Sequence, residues 1–124
     1  FGSEHGGAWA DAGSAFAAGH RATFHNDGWV TPNEPFRNMA VAETRTTRKG
    51  YRMPGGAPVT REQALRAHTS NAAWQLFSEQ EVGALAPGLC ADFIVVDRDP
   101  LTATAPELAE TVVHATYLAG RRVH

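Results

Sequence analysis

The chain has a single cysteine, Cys90, so no intrachain disulfide can hold it together, which fits a reducing compartment. The thiol reads as small core filling rather than as a nucleophile. Positive charge is also scarce: 11 Lys and Arg stand against 13 Asp and Glu, a formal net of −2 that leaves no basic footprint for a nucleic-acid backbone. No apolar run approaches the roughly 18 residues of a membrane span, and the first residues lack the basic and apolar regions of a signal peptide. The expectation is a soluble, cytoplasmic protein with no nucleic-acid and no membrane partner. Internal repeats are absent. So are the G-x-S-x-G, P-loop, G-x-G-x-x-G, H-x-H, H-E-x-x-H and C-x-x-C patterns, which argues against serine hydrolases, nucleotide-binding folds and a complete metal site.

What is present is the composition of a globular domain, 43% hydrophobic and 19% charged over 124 residues. That length suits one modest domain and falls short of the roughly 200 residues that a (β/α)₈ barrel needs. Residues 1–13, with four glycines, predict a loop or frayed end. Ser14 can cap a short helical turn over 15–18, closed by Gly19. Residues 21–25 carry β-branched and aromatic side chains between Gly19 and Asn26-Asp27-Gly28, and predict a strand. Its period of two places Thr23, His25 and Asp27 on one face and Ala22 and Phe24 on the other.

Pro35 suits a helix entry, and the spacing predicts a helix over 36–46 with Phe36, Met39, Ala40 and Glu43 on one stripe. Arg45, Arg48, Lys49 and Arg52 then read as a solvated basic helix end. Thr60-Arg61-Glu62-Gln63 matches a capping box, flanked by Val59 and Ala64 as a weak hydrophobic staple, so a helix should run to about His68. A second short helix over 71–77 should bury Ala72, Ala73, Leu76 and Trp74. Residues 92–97 form an apolar run flanked by acids, the pattern of a strand buried on both sides. Pro106-Glu107-Leu108 resembles a first helical turn, and residues 112–118 and 121–124 predict two strands turning at Ala119-Gly120.

Among candidate chemical groups, His25 and Asp27 stand out, because an imidazole and a carboxylate two residues apart at a strand's carboxyl end can converge on one point. Such pairs bind divalent metals or move protons. The plainer reading is that Asp27 starts an Asx-type turn into Gly28 and that His25 is an interior residue. The residues alone leave both open. His68, on a helix, reads as a packing or surface residue.

The stretch Val59-Thr60-Arg61-Glu62-Gln63-Ala64-Leu65, then His68-Thr69-Ser70-Asn71-Ala72-Ala73, then residues 83–97, together with Gly120-Arg121-Arg122-Val123, resembles the carboxyl-terminal end of metal-dependent amidohydrolases. Upstream, residues 18–27 with Pro32, Pro35-Phe36 and Thr44-Arg45 resemble the amidohydrolase-3 branch, which includes N-substituted formamide deformylases. The likeness covers about residues 16–124. Leu89 and Ala84 stand where lysine and serine are usual, both in turns, and His25 stands where many relatives have a small residue.

The resemblance implies an α/β fold: the C-terminal fragment of a TIM-barrel amidohydrolase, with the last β/α unit of the barrel and returning strands of a small β-sandwich domain. Residues 1–13 would be a loop or frayed end, 14–80 the last barrel strand and following helices, and 81–124 the sandwich strands. It further implies a hydrolase of amide, formamide or cyclic amide C–N bonds, with Asp27 at a divalent metal, zinc by preference, acting as catalytic proton shuttle, and His25 lining the substrate pocket. The segments that hold the metal in such enzymes are missing, and the chain begins at Phe1 rather than methionine. We therefore expect the last third or quarter of a longer hydrolase, with an incomplete site and no activity by itself. Its partner would be the remainder of its own barrel or another copy of the chain, and its substrate a small amide-type molecule. The competing expectation is a non-catalytic binding or assembly module that folds alone or as a homo-oligomer.

Overall fold

The computed structural model describes residues 2–28 and 30–124. Among the described residues, six helices and three strands follow in the order α1 (Gly2–Gly7), α2 (Ala12–Ala17), α3 (Pro35–Thr44), α4 (Arg61–His68), α5 (Ser70–Gln75), β1 (Phe93–Val96), α6 (Ala105–Ala109), β2 (Val113–Leu118) and β3 (Arg121–Arg122).

Side-chain caps decide where several of these helices start. At α4 the Thr60 hydroxyl accepts the Gln63 N–H at 3.2 Å while the Gln63 side-chain oxygen accepts the Thr60 N–H at 2.9 Å, the expected capping box. At α6 the Glu107 carboxylate accepts both the backbone N–H and the hydroxyl of Thr104, at 2.8 and 2.6 Å. The amino end differs from expectation: residues 2–7 and 12–17 are helical, and Asp11 rather than Ser14 supplies the cap. Its carboxylate accepts the Ser14 N–H at 3.1 Å, the Ser14 hydroxyl at 2.7 Å and the Ala57 N–H at 3.0 Å. Those donors, the Ser14 hydroxyl first, hold the Asp11 carboxyl below its ordinary pKa.

Helix α3 stops where Arg45 enters the left-handed region at φ 51°, a conformation that costs a bulky residue energy and needs compensation. The compensation is visible. Arg45 is 8% exposed, and its guanidinium donates to the carbonyls of Gly55 and Gly7, both at 2.8 Å, and of Ala10 and Trp9, at 3.2 and 3.3 Å. The expectation of a solvated helix end therefore fails for Arg45 and holds for the exposed Arg48, Lys49 and Arg52. A short chain reversal follows, with the Met53 N–H returning to the Arg45 carbonyl at 2.8 Å.

The core gathers Met39, Ala40, Val59, Ala64 and Leu108, with Phe16, Phe24, Phe36 and Leu65 packed around it. Three of the four α3 stripe positions behave as apolar neighbours. The fourth, Glu43, accepts two bonds from Arg61, at 2.9 and 2.6 Å, while Arg61 also donates to the carbonyls of Pro100 and Ala103. One guanidinium thus ties α3, α4 and the approach to α6.

The sheet is antiparallel in the order β1-β2-β3, with Phe93 opposite Tyr117 and their rings stacked at 4.4 Å. Strand β1 lies at an edge, with Ile94 47% and Val95 44% exposed, which corrects the expectation of a strand buried on both sides. Burial on two faces needs layers on both, and among the described residues β1 has β2 alone as a strand neighbour. The flanking acids are structural: Asp92 accepts the Ala119 N–H at 2.7 Å and Asp97 the Val112 N–H at 3.0 Å. The Arg98 hydrogen bonds and then the Val112 amide lower the Asp97 pKa to about 2. Cys90 is exposed, which corrects its reading as core filling, and its backbone N–H donates to the Glu81 carbonyl at 2.7 Å.

Replacing Arg45 with Met would leave one buried carbonyl and three part-buried ones without this donor and should cost about 2 kcal/mol or more, whereas Arg48→Met on the exposed loop should stay within about 0.5 kcal/mol. Urea unfolding of the two variants beside the parent chain checks the contrast. Equal losses would remove Arg45 from its organising role.

Candidate functional site

After α2 the chain turns at Gly19, in the left-handed region at φ 84°, and residues 20–26 follow without helix or strand. The expected strand over 21–25 does not form, because no described strand lies alongside to make a ladder. A strand is defined by its partners, and this segment is instead held by side chains from α4 and α5. The Arg21 guanidinium lies 4.9 Å above the Trp74 ring. The Asn71 amide donates to the Ala22 carbonyl at 3.0 Å, and the Thr23 hydroxyl donates to the Gln75 side-chain oxygen at 2.6 Å. Phe24 enters the core, its ring edge-to-face with Phe16 at 6.5 Å and with His68 at 5.5 Å.

Four consecutive residues are each anchored, Phe24 by two rings, and the two candidate groups follow at once. His25 Nδ1 lies 3.7 Å from Asp27 Oδ1, with the side chains 81% and 77% exposed. Asp27 and Gly28 are both left-handed, at φ 58° and 60°, in the tight turn, which Asp tolerates better than most residues. The Thr31 hydroxyl closes the loop on the Asn26 carbonyl at 3.0 Å. The structure therefore brings His25 and Asp27 together on the outside while Phe24 faces the core. His25 is not an interior residue. The pair can offer two donors to a cation, and among the described residues no third His, Cys, Asp or Glu joins them in a metal-binding group.

The anchors Asn71, Gln75 and Trp74 were not expected from the sequence. The i, i+4 spacing of two carboxamides on one short helix is the signal that could have found them. Helix α5 spans Ser70–Gln75 and is shorter than expected. Ala73 is buried and Ala72 half-buried, but Trp74 is 43% and Leu76 73% exposed, a correction to their expected burial. Phe77, left-handed at φ 57°, turns the chain away. The returning turn then sits on α5 at Gly83, where an added Cβ would lie 2.6 Å from the Ala73 Cβ.

Comparison with known proteins gives the class. The model of the Amidohydrolase family matches residues 2–124, and the chain belongs to that family. It is 33% identical over 107 residues to N-substituted formamide deformylase from Arthrobacter pascens, covering 86% of this chain and 20% of that protein. The crystal structure of an amidohydrolase from Thermotoga maritima MSB8 superposes with a TM-score of 0.63 at 23% identity, over 90% of this chain and 25% of the other, a likeness of fold. The chain thus spans about a fifth to a quarter of the length of these relatives.

His68 joins α4 to the site segment, and its Nε2 is buried without a hydrogen-bond partner among the described residues. Burial holds its pKa below the ordinary 6.5, so the folded chain favours the neutral ring. The unfolded chain takes up the proton first on acidification. The stability this ring contributes is therefore whole above about pH 6.5 and is lost as pH falls from there toward the folded value. His68→Phe should flatten the fall in urea midpoint between about pH 7.5 and 5.5; an unchanged slope would show that other groups carry it.

Proposed function

We propose that this chain is the C-terminal part of a metal-dependent amidohydrolase that cleaves the C–N bond of an amide, formamide or cyclic amide, with Asp27 as the proton shuttle. Family membership and likeness to a formamide deformylase support the reaction class. The observation that carries the residue assignment is the Asp27 carboxylate, presented on a left-handed turn beside His25 at the end of an anchored segment. In this reading residues 21–25 pair as the last strand of a TIM barrel only beside strands supplied by the rest of the protein; reactive groups of such barrels sit at strand carboxyl ends, and β1 to β3 belong to a small β-sandwich.

Asp27 takes a proton from the attacking water as the C–O bond forms and delivers it to the nitrogen as the C–N bond breaks. His25, exposed 3.7 Å away, lines the substrate pocket. Amidohydrolases characteristically use a divalent metal, and zinc is the expected one here. A catalytic zinc takes about three protein ligands, and the described residues offer two adjacent donors, so this chain by itself does not fit the ion. The remaining ligands belong to the rest of the barrel in this reading, and the isolated chain is inactive.

The same reading accounts for the exposed Trp74, Leu76, Phe77 and Leu85 and for the open edge of β1, which suit cover by the rest of the protein or by a second copy of the chain. Sedimentation and metal analysis of the 124-residue chain should find self-association and no stoichiometric zinc. A monomer that stays stable at high concentration would count against the missing neighbour, and tightly held zinc would contradict the incomplete site. In a full-length enzyme carrying this chain, Asp27→Asn should preserve folding and lower kcat by about 10²–10⁴-fold. Near-normal turnover would take Asp27 out of the mechanism.

A further inference from the structure

Arg45, Arg48, Lys49 and Arg52 form a basic cluster that the proposed reaction leaves unused. The fold divides it. Arg48 and Lys49 stay on the exposed turn, while Arg52, bridged through its backbone to Thr46, lines the same cavity as the buried Arg45. The cavity has a volume of about 280 Å³, with Met53, Pro54, Gly56 and Pro58 among its walls. Every lining residue falls between positions 44 and 58, so one short stretch of this chain supplies the site.

Charge is unbalanced there. Among the described residues no carboxylate forms an ion pair with either guanidinium. Asp11 acts on Arg45 from farther off, and its oxygens are engaged by Ser14 and the Ala57 N–H. The four carbonyls that Arg45 meets leave one N–H of Nη1 without an acceptor among the described residues, and the Arg52 guanidinium has no acceptor among them at all. Buried charges are ordinarily paired, and two like charges on one cavity repel. An oxyanion removes both penalties, because it accepts charge-assisted bonds from guanidinium N–H groups.

We propose that this cavity binds a small free oxyanion, a carboxylate or a phosphate, between Arg45 and Arg52. Arg45 supplies a donor held in place by its carbonyls, and Arg52 supplies an exposed one. Gly56, left-handed at φ 74°, keeps the space open: a Cβ there would lie 2.9 Å from the Arg45 Cζ. Pro54 and Pro58 stiffen the walls, which lowers the ordering cost of binding. The site is independent of the reading of Asp27 given above.

Two-dimensional ¹H–¹⁵N spectra of the 124-residue chain test the site, with sodium phosphate or sodium formate exchanged for sodium chloride at constant ionic strength. The Nε–H signals of Arg45 and Arg52 and the Gly56 amide should shift together along one saturating curve, and the anion with the tighter curve tells whether the site prefers a planar or a tetrahedral ligand. Arg52→Gln, which removes a guanidinium with no partner among the described residues, should weaken binding about tenfold or more. Arg48→Gln, a control of equal charge, should weaken it about twofold or less. Shifts that rise without saturating, or that both variants reduce equally, would overturn the site and leave only diffuse screening of a basic surface. Calorimetric titration of a full-length enzyme carrying the chain then separates a free ligand from an acidic side chain of the same protein. Phosphate or formate binding that Arg52→Gln weakens there supports the free ligand; binding confined to the 124-residue chain would overturn it.

Discussion

A buried guanidinium organises the amino-terminal half of this protein. Arg45 ends α3 in a left-handed turn and sends its side chain to carbonyls at Gly7, Trp9, Ala10 and Gly55. Hydrogen bonds from a charged donor exceed neutral ones in strength, and the nearby Asp11 carboxylate balances part of the charge. Through these bonds a glycine-rich stretch of high conformational entropy becomes ordered enough to set α2 in place. Phe16 on α2 then meets Phe24, the residue before His25, so the path from one buried cation to the exposed His25–Asp27 pair runs through two rings, while His68 packs on Phe24 from α4.

The rest of the frame uses the same economy. Arg61 fastens α3, α4 and the approach to α6, while Asp92 and Asp97 close the two ends of the β1–β2 hairpin on backbone amides. Small residues such as Ala40 and Ala64 let the helices approach closely, with Met39 and Leu108 filling the space between. A chain with so few large buried side chains relies on polar bonds of defined direction, and that direction carries over to the site.

Helix α4 and its capping box, the first turn of α6 and the span of β2 were legible in the sequence because each depends on residues within a few positions of one another. The terminal motifs also pointed to the amidohydrolase family, to which the chain belongs. What stayed hidden depends on partners far along the chain. The Ala22 and Thr23 anchors lie 49 and 52 residues away, beyond any local pattern. The missing strand at 21–25 and the half-open β1 share one cause: hydrophobic alternation reports which faces seek cover, and a strand also needs neighbours. The closeness of His25 and Asp27 was foreseeable from their spacing, while the exposure of both depended on how Phe24 was drawn inward.

Cys90 began as a reason to exclude disulfides and ends as a practical property of the molecule. Its thiol is the single one in the chain, lies exposed in the turn before β1, and takes no part in the core or in the site segment. A fluorophore or spin label attached there would report from one defined point on the sheet side, leaving Asp27 and its anchors chemically untouched. In air the same thiol can join two chains covalently, so a reductant belongs in every preparation whose mass is to be interpreted.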